Sequence, residues 1–398
     1  MSNSIEGWLP AFDPKARESR RLGLYVNIPF SSCPYDGFDT NFCHPSNSAR
    51  SLSEKFFRAA LEEINFAGRV LTAARLSAIE LDSIYICAGA ARLYESNFLR
   101  IIIDRARKVF GIRNHAEVTI ELEPEGLSSE DFRDLKRAGV TRVVIDALSA
   151  DPEVLQTMNR PYTFSDVVDV AQEASSFGLG VSIDLVYGIP GQTLKSWKST
   201  IESAVSLGPD HISIYEHINE PAVSADGELS AAHLSSPDSD LRAEMYALAD
   251  SQLSDAGFEW YEICHWAKSE NSQSLHNISY WTSENWWGIG PGAHSHVRGV
   301  RWWNVAGLEE YSSLISEGRS PEKEREILDS QALETERVML GIRLRHGLKV
   351  AEIDQHKFEL LRKWAEQRLI LDTELRHGKV VLTMQGRLLA DFLARELS

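Results

Sequence analysis

The sequence predicts an α/β protein: a partial (β/α)6 TIM-like barrel, an added aromatic-rich subdomain and a C-terminal winged-helix-like domain. Three observations predict it. Short runs rich in β-branched residues alternate about six times with amphipathic runs. Strands separated by helix-length segments favour parallel pairing with right-handed crossovers. Six such units are too few to close an eight-stranded barrel, which leaves an open one whose ligands are expected at the carboxyl ends of the strands.

Residues 1–21 read as an N-terminal tail, and the barrel is expected over 22–220. Leu22–Ile28 reads as its first strand, Ser53–Val70 as a helix and Ser83–Cys87 as the second strand. Asn97–Phe110 has helical spacing, Glu117–Leu122 is the third strand, and Ser129–Ala138 is a helix capped by Ser128. Thr141–Ile145, Gly180–Tyr187 and His211–Tyr215 complete the six, the last two separated by a helix near Leu194–Leu207.

The rhythm breaks over 221–325, where seven of the ten tryptophans fall: Trp260, Trp266, Trp281, Trp286, Trp287, Trp302 and Trp303. They read either as the core of a subdomain or as a flat wall for a large planar ligand. From 326 to 398, Thr335–Leu344, Ile353–Gln367 and Gly386–Leu397 read as helices. Leu369–Leu371 and Val380–Thr383 read as strands around an Arg376–Lys379 turn, a winged-helix pattern used for packing rather than for nucleic acid.

Composition supports that choice. The 398-residue chain has a formal net charge of −17, so a polyanion would be repelled overall. No apolar run reaches the roughly 18 residues needed to span a bilayer, and no secretory leader opens the sequence, which reads as cytoplasmic. The four cysteines, Cys33, Cys43, Cys87 and Cys264, form no CxxC pair and are expected reduced. Cys33-Pro34 is a pair of the kind that ligates haem iron, although an ordinary loop is the default reading. Cys43-His44 with Cys33 matches no standard metal spacing. His276, His294 and His296 read as structural or pocket-lining. No GxSxG, HExxH or phosphate-binding loop is present.

Several stretches, in order, carry a resemblance: Tyr25–Phe30 (YVNIPF), Thr119–Glu121 (TIE), Asp184–Thr193 (DLVYGIPGQT), Tyr261–Ile263 (YEI), His276–Trp281 (HNISYW), Gly288–Ser295 (GIGPGAHS), Trp303-Asn304, and Leu382-Thr383 with Gly386–Leu389. Together they span residues 22 to 398 and resemble the oxygen-independent coproporphyrinogen III oxidase and haem-chaperone (HemN/HemW-like) family of radical S-adenosylmethionine (SAM) proteins. The resemblance implies a barrel of the radical SAM type. It implies contacts to SAM from Tyr25, Gly89, Glu121, Arg160 and Asp184. A buried set of this kind must otherwise pair internally. Glu121, Asp184 and Glu216 are the candidate acid–base residues.

The sequence departs from the family at three places. The family holds a [4Fe–4S] cluster on three thiolates. The aligned residues here are Ser31, Tyr35 and Phe38, with Cys33 reached only in a shifted register. The family's GGGTP becomes Cys87–Ala91, keeping only Gly89, and its G-V-Q-S becomes Asp146–Ser149, with Leu148 at the glutamine. No cluster is therefore expected, and without one no 5′-deoxyadenosyl radical forms. Three readings follow: a haem- or tetrapyrrole-binding protein, a non-radical enzyme holding intact SAM, or an inactive partner of an active homologue docked through the C-terminal domain.

Overall fold

The structure, a computed structural model, describes residues 8–9, 21–29, 47–76, 79–87, 96–217 and 238–398. Ser31, Cys33, Tyr35, Phe38, Cys43, His44 and Gly89 lie outside the described residues.

Six strands pair in parallel in chain order: β1 (Leu22–Asn27), β2 (Leu81–Cys87), β3 (Ile112–Leu122), β4 (Arg142–Leu148), β5 (Gly180–Tyr187) and β6 (His211–Glu216). Between them run α1 (Asn47–Ala73), α2 (Ser96–Phe110), α3 (Ser129–Ala138), α4 (Pro152–Thr157), α5 (Phe164–Ser176) and α6 (Leu194–Ser206). Helices α3 to α6 start where local chemistry supplies acceptors for their free N–H groups. Ser128 caps α3 in a capping box with Asp131, whose carboxylate takes the Ser128 N–H at 2.8 Å. The α/β class and the parallel order are as the sequence predicts.

The 221–325 region extends this sheet. After α7 (Ser239–Asp255), the hairpin β7 (Glu259–Glu262) and β8 (His265–Ala267) adds antiparallel to β6. Following α8 (Leu275–Trp281), β9 (Asn285–Ile289) pairs parallel with β1. Then β10 (His294–Val297), β11 (Val300–Asn304), α9 (Leu308–Ser316) and β12 (Glu322–Ile327) continue that edge, so twelve strands make one sheet. Trp266, Trp287 and Trp302 are almost wholly buried in the same apolar core as the parallel strands. Trp8 stacks on Trp287 with centroids 5.5 Å apart. Three of the seven clustered tryptophans are thus core.

The C-terminal residues form a second core: α10 (Ser330–Gly341), β13 (Leu348–Lys349), α11 (Phe358–Glu366), α12 (Asp372–Arg376), β14 (Lys379–Val380), α13 (Met384–Leu388) and α14 (Ala390–Leu397). The expected strand Leu369–Leu371 contributes only an Ile370–Leu382 bridge. The short helix α12, tied by an Asp372–Arg376 ion pair at 2.6 Å, occupies the connection, and β14 pairs with β13 instead. The expected final helix breaks at Leu389 into two.

Candidate functional site

A strand sends alternate side chains to opposite faces. Here one face is apolar: Leu24, Val26, Ile84, Ile86, Ile120, Val143 and Ile145 are buried against the helices. The alternating set is polar: Tyr25 on β1, Tyr85 and Cys87 on β2, Glu121 on β3, Asp146 on β4, Asp184 on β5, and Ser213 and Tyr215 on β6. Parallel register sets Asp146 beside Asp184, and Asp184 beside Ser213. The mouth of the sheet therefore gathers carboxyl and phenol groups in a row across neighbouring strands.

The Tyr85 hydroxyl donates to Glu121, while Cys87 hydrogen-bonds both Glu121 and Tyr25. Arg160 reaches Glu123 at 3.7 Å. Asp146 sits within the field of Glu121, Asp184, Arg160 and Glu123. Burial pushes Asp184 up to about 7, a hydrogen bond from Ser213 opposes the shift, and the negative charge of Glu121 adds to it. Burial and the same neighbouring carboxylates raise Asp146 well above the usual range. Burial likewise raises the Tyr25, Tyr85 and Cys87 protons, so these groups stay neutral.

The structure thus brings Tyr25, Glu121, Asp184 and, through Glu123 and Asp146, Arg160 into one neighbourhood. Glu216 is not part of it. One residue beyond Tyr215, strand alternation turns it to the helix side, where it pairs with Arg242 at 2.5 Å. His276 is buried, its ring held by Ser83 at 2.9 Å and Tyr280 at 2.8 Å, and burial lowers its pKa to about 3. His296 meets the Glu284 carbonyl and the Gly299 N–H. His294 is exposed and stacked on Trp303, with centroids 5.6 Å apart. Asp146 and Glu123 escape a motif-based reading. Period-two counting from Arg142 to Asp146, and from Glu121 to Glu123, is the signal that finds them.

Two backbone features shape the rim. At Gly290, φ is +106° and an added Cβ would stand 2.3 Å from the Asn27 carbonyl oxygen, so only glycine fits. The buried Glu63 of α1 anchors this loop. It accepts from Gly290 N–H at 2.8 Å, Asn304 Nδ2 at 2.7 Å and the Tyr311 hydroxyl. Leu148 has φ +56°, a left-handed conformation for a branched, buried side chain, at a bulge between β4 and β5.

The donor set can be tested against the family's cofactors. At the positions that the resemblance aligns with the family's cluster cysteines stand Ser31, Tyr35 and Phe38, side chains without sulfur. SAM carries a sulfonium and an ammonium. The carboxyl-rich mouth fits such a cation, and Asp184 Oδ1 is buried without a hydrogen-bond partner. Among the described residues, no three histidine, cysteine or acidic side chains converge as they would on a metal ion. No helix among them is long and apolar enough to cross a membrane.

Comparison with known proteins agrees with this architecture. The Radical SAM superfamily pattern matches residues 41–204. The haem chaperone HemW of Mycobacterium tuberculosis is 34% identical over 94% of this chain and 94% of its own. HemW of Bacillus subtilis is 29% identical over 92% of this chain and 96% of its own. The structure of coproporphyrinogen III oxidase (HemN) from Escherichia coli superposes with a TM-score of 0.76, covering 94% of this chain and 89% of that one; at 19% identity it speaks for the fold alone. The ordered motifs, the parallel sheet with its polar mouth and the near-full-length similarity to HemW lead to one conclusion: this chain belongs to the HemN/HemW-like family of the radical SAM superfamily.

Proposed function

We propose that this protein binds haem or a related tetrapyrrole at the mouth of the sheet and carries out no radical reaction. The observation that carries the reading is the donor set at Ser31, Tyr35 and Phe38, which has no thiolate for the cluster. The relatives named haem chaperones support the ligand. Electrostatics orients it. Glu121 and the carboxyls around it disfavour propionates inside the mouth, so a bound tetrapyrrole would turn its propionates outward. Titration with haem is expected to shift the Soret band at micromolar protein; an unshifted band refutes ligand binding. Protein purified without oxygen is expected to lack stoichiometric iron and sulfide. Four irons per chain, with reductive cleavage of SAM, would overturn the reading.

A second reading has its own observation in the unpartnered Asp184 oxygen. Intact SAM would place a cationic group there. Calorimetry is expected to register SAM binding that Asp184→Asn weakens by tenfold or more, while the circular dichroism spectrum stays unchanged. A third role, docking to an active homologue through the C-terminal residues, would appear as co-purification of the two chains. Deletion of residues 326–398 would abolish it.

A further inference from the structure

The sheet extension beyond β1 has two faces, like the strands it continues. Trp287, Val297, Val300 and Trp302 point into the helix-covered core. The alternating residues Trp286, His294, His296 and Trp303 point the other way, to the face that carries Tyr25. A continuous chain of ring contacts marks that face. Centroids lie 6.2 Å apart from Tyr25 to His276, 5.0 Å from His276 to Tyr280, 4.7 Å from Tyr280 to Trp286 and 5.0 Å from Trp286 to His296. Trp286 and Trp303 are half-buried, so part of each indole stays open on the ligand side of the sheet.

His294 stands at the level of the mouth. β9 runs parallel to β1, and its end at Ile289 lies beside Val26. The turn that follows is pinned at every residue. Gly290 N–H donates to Glu63 at 2.8 Å, and the Pro291 carbonyl accepts from Asn27 Nδ2 at 2.8 Å. Gly292 N–H donates to the Val305 carbonyl at 2.9 Å, and the Ala293 carbonyl accepts the Asn304 N–H at 3.0 Å. The backbone entering His294 is thus held in place. Trp303, its partner across β10 and β11, fixes the ring: the two planes lie 22° apart. Partial burial and the charge of Arg301 lower the His294 pKa, which keeps the imidazole neutral, the form that ligates metal.

The other histidines on this side of the sheet are buried and engaged. His211 meets Ser182 at 2.6 Å and Tyr261 at 2.7 Å. His276 meets Ser83 and Tyr280, and His296 the Glu284 carbonyl and the Gly299 N–H. Nε2 of His265 meets Tyr215 at 3.0 Å and Asn277 at 3.2 Å. To bind a metal each would leave a buried partner unpaired, which costs about 1–3 kcal/mol. His294 gives up only water. It is exposed, and among the described residues no hydrogen bond occupies its ring.

We propose that His294 is the axial ligand that takes haem iron at the mouth, with Trp303 as the residue that positions its ring. The inference rests on the reading that the protein binds haem. A ring nitrogen gives its lone pair to the iron and displaces a bound water; the iron keeps its oxidation state and the neutral ring loses no proton. The site agrees with the electrostatics of the mouth. β9, β1 and β2 separate His294 on β10 from Glu121 on β3, which keeps the propionates away from the carboxyls.

Titration of the full chain with ferric haem, followed by absorption and by pulsed electron paramagnetic resonance, tests this. The wild type is expected to show the nitrogen couplings of a bound imidazole. His294→Ala is expected to bind haem at least tenfold more weakly and to lose those couplings, with an unchanged circular dichroism spectrum, and added imidazole to restore them. Trp303→Ala, which frees the ring, is expected to broaden the signal, and Trp303→Phe to preserve it. His217, just beyond β6, is the other imidazole at this end of the sheet, and Cys33 is the thiol beside a proline. His217→Ala and Cys33→Ser are expected to leave the couplings intact. Couplings that survive His294→Ala, or that vanish instead in His217→Ala or Cys33→Ser, overturn the assignment and leave haem binding standing. A signal that Trp303→Ala does not alter removes the positioning role. A wild type that shifts no Soret band overturns both the assignment and the haem reading.

Discussion

Glu63 illustrates how a single buried side chain governs the rim. Three donors favour its charged form, yet complete burial prevails and lifts its pKa to about 7. The same holds for Asp184, also at about 7. The folded protein thus holds protons that the unfolded chain has already released above the ordinary carboxyl range. Stability accordingly falls as pH rises from about 4.5 to about 7 and then levels off. Urea midpoints measured across that window are expected to decline with pH, and Glu63→Gln to flatten the decline. Glu63→Ala strands the Gly290, Asn304 and Tyr311 donors and is expected to cost about 3 kcal/mol. None of this was legible in the sequence. Glu63 lies on a helix with no motif, and its partners come from residues 290 to 311, more than two hundred positions later.

At the level of the element, β4 and its bulge matter most. Leu148 sits left-handed, at a cost of roughly 1–2 kcal/mol, and packs against Leu155 and Tyr162. Leu148→Gly relieves the backbone but removes a buried side chain, a loss of about 2–5 kcal/mol. Packing wins, and the variant is expected to be net destabilised by about 1–2 kcal/mol in chemical denaturation. Trp197 of α6 is wholly buried and donates to the Met245 carbonyl of α7 at 2.9 Å. Trp197→Ala is expected to cost about 3–5 kcal/mol and to lower the melting temperature by several degrees. The six parallel strands were legible because β-branched runs and turn residues mark each one locally. The register shift at Ala147 was not, since a bulge is decided by neighbouring strands rather than by its own sequence. The C-terminal connection was legible only in part: Leu369–Leu371 does meet Val381–Thr383, through the Ile370–Leu382 bridge and the bonds from Leu371 N–H to the Val381 carbonyl and from Thr383 N–H to the Leu369 carbonyl, but the pairing is too short to make a strand.

Across the whole molecule, two cores meet through Arg387. Its guanidinium, buried to 6% exposure, pairs with Asp250, reaches the Tyr246 hydroxyl at 3.1 Å and stacks over Trp260. Removing it leaves Asp250 unpaired, and Arg387→Ala is expected to cost about 3–5 kcal/mol. The loss is expected to split one calorimetric transition into two as the C-terminal core melts first. The sequence announced both regions but not their joint, because the arginine sits in a stretch whose motif says nothing about its partner. The placement of β9 beside β1 carries one more consequence. Residues 22–27 stay unpaired along one edge until Asn285–Ile289 has been synthesised. During translation the leading strand therefore presents open backbone N–H and C=O groups to any extended chain nearby. Such late edge closure makes slow, chaperone-dependent maturation of the nascent chain the expected behaviour, and places its greatest aggregation hazard in the ribosome-bound stage.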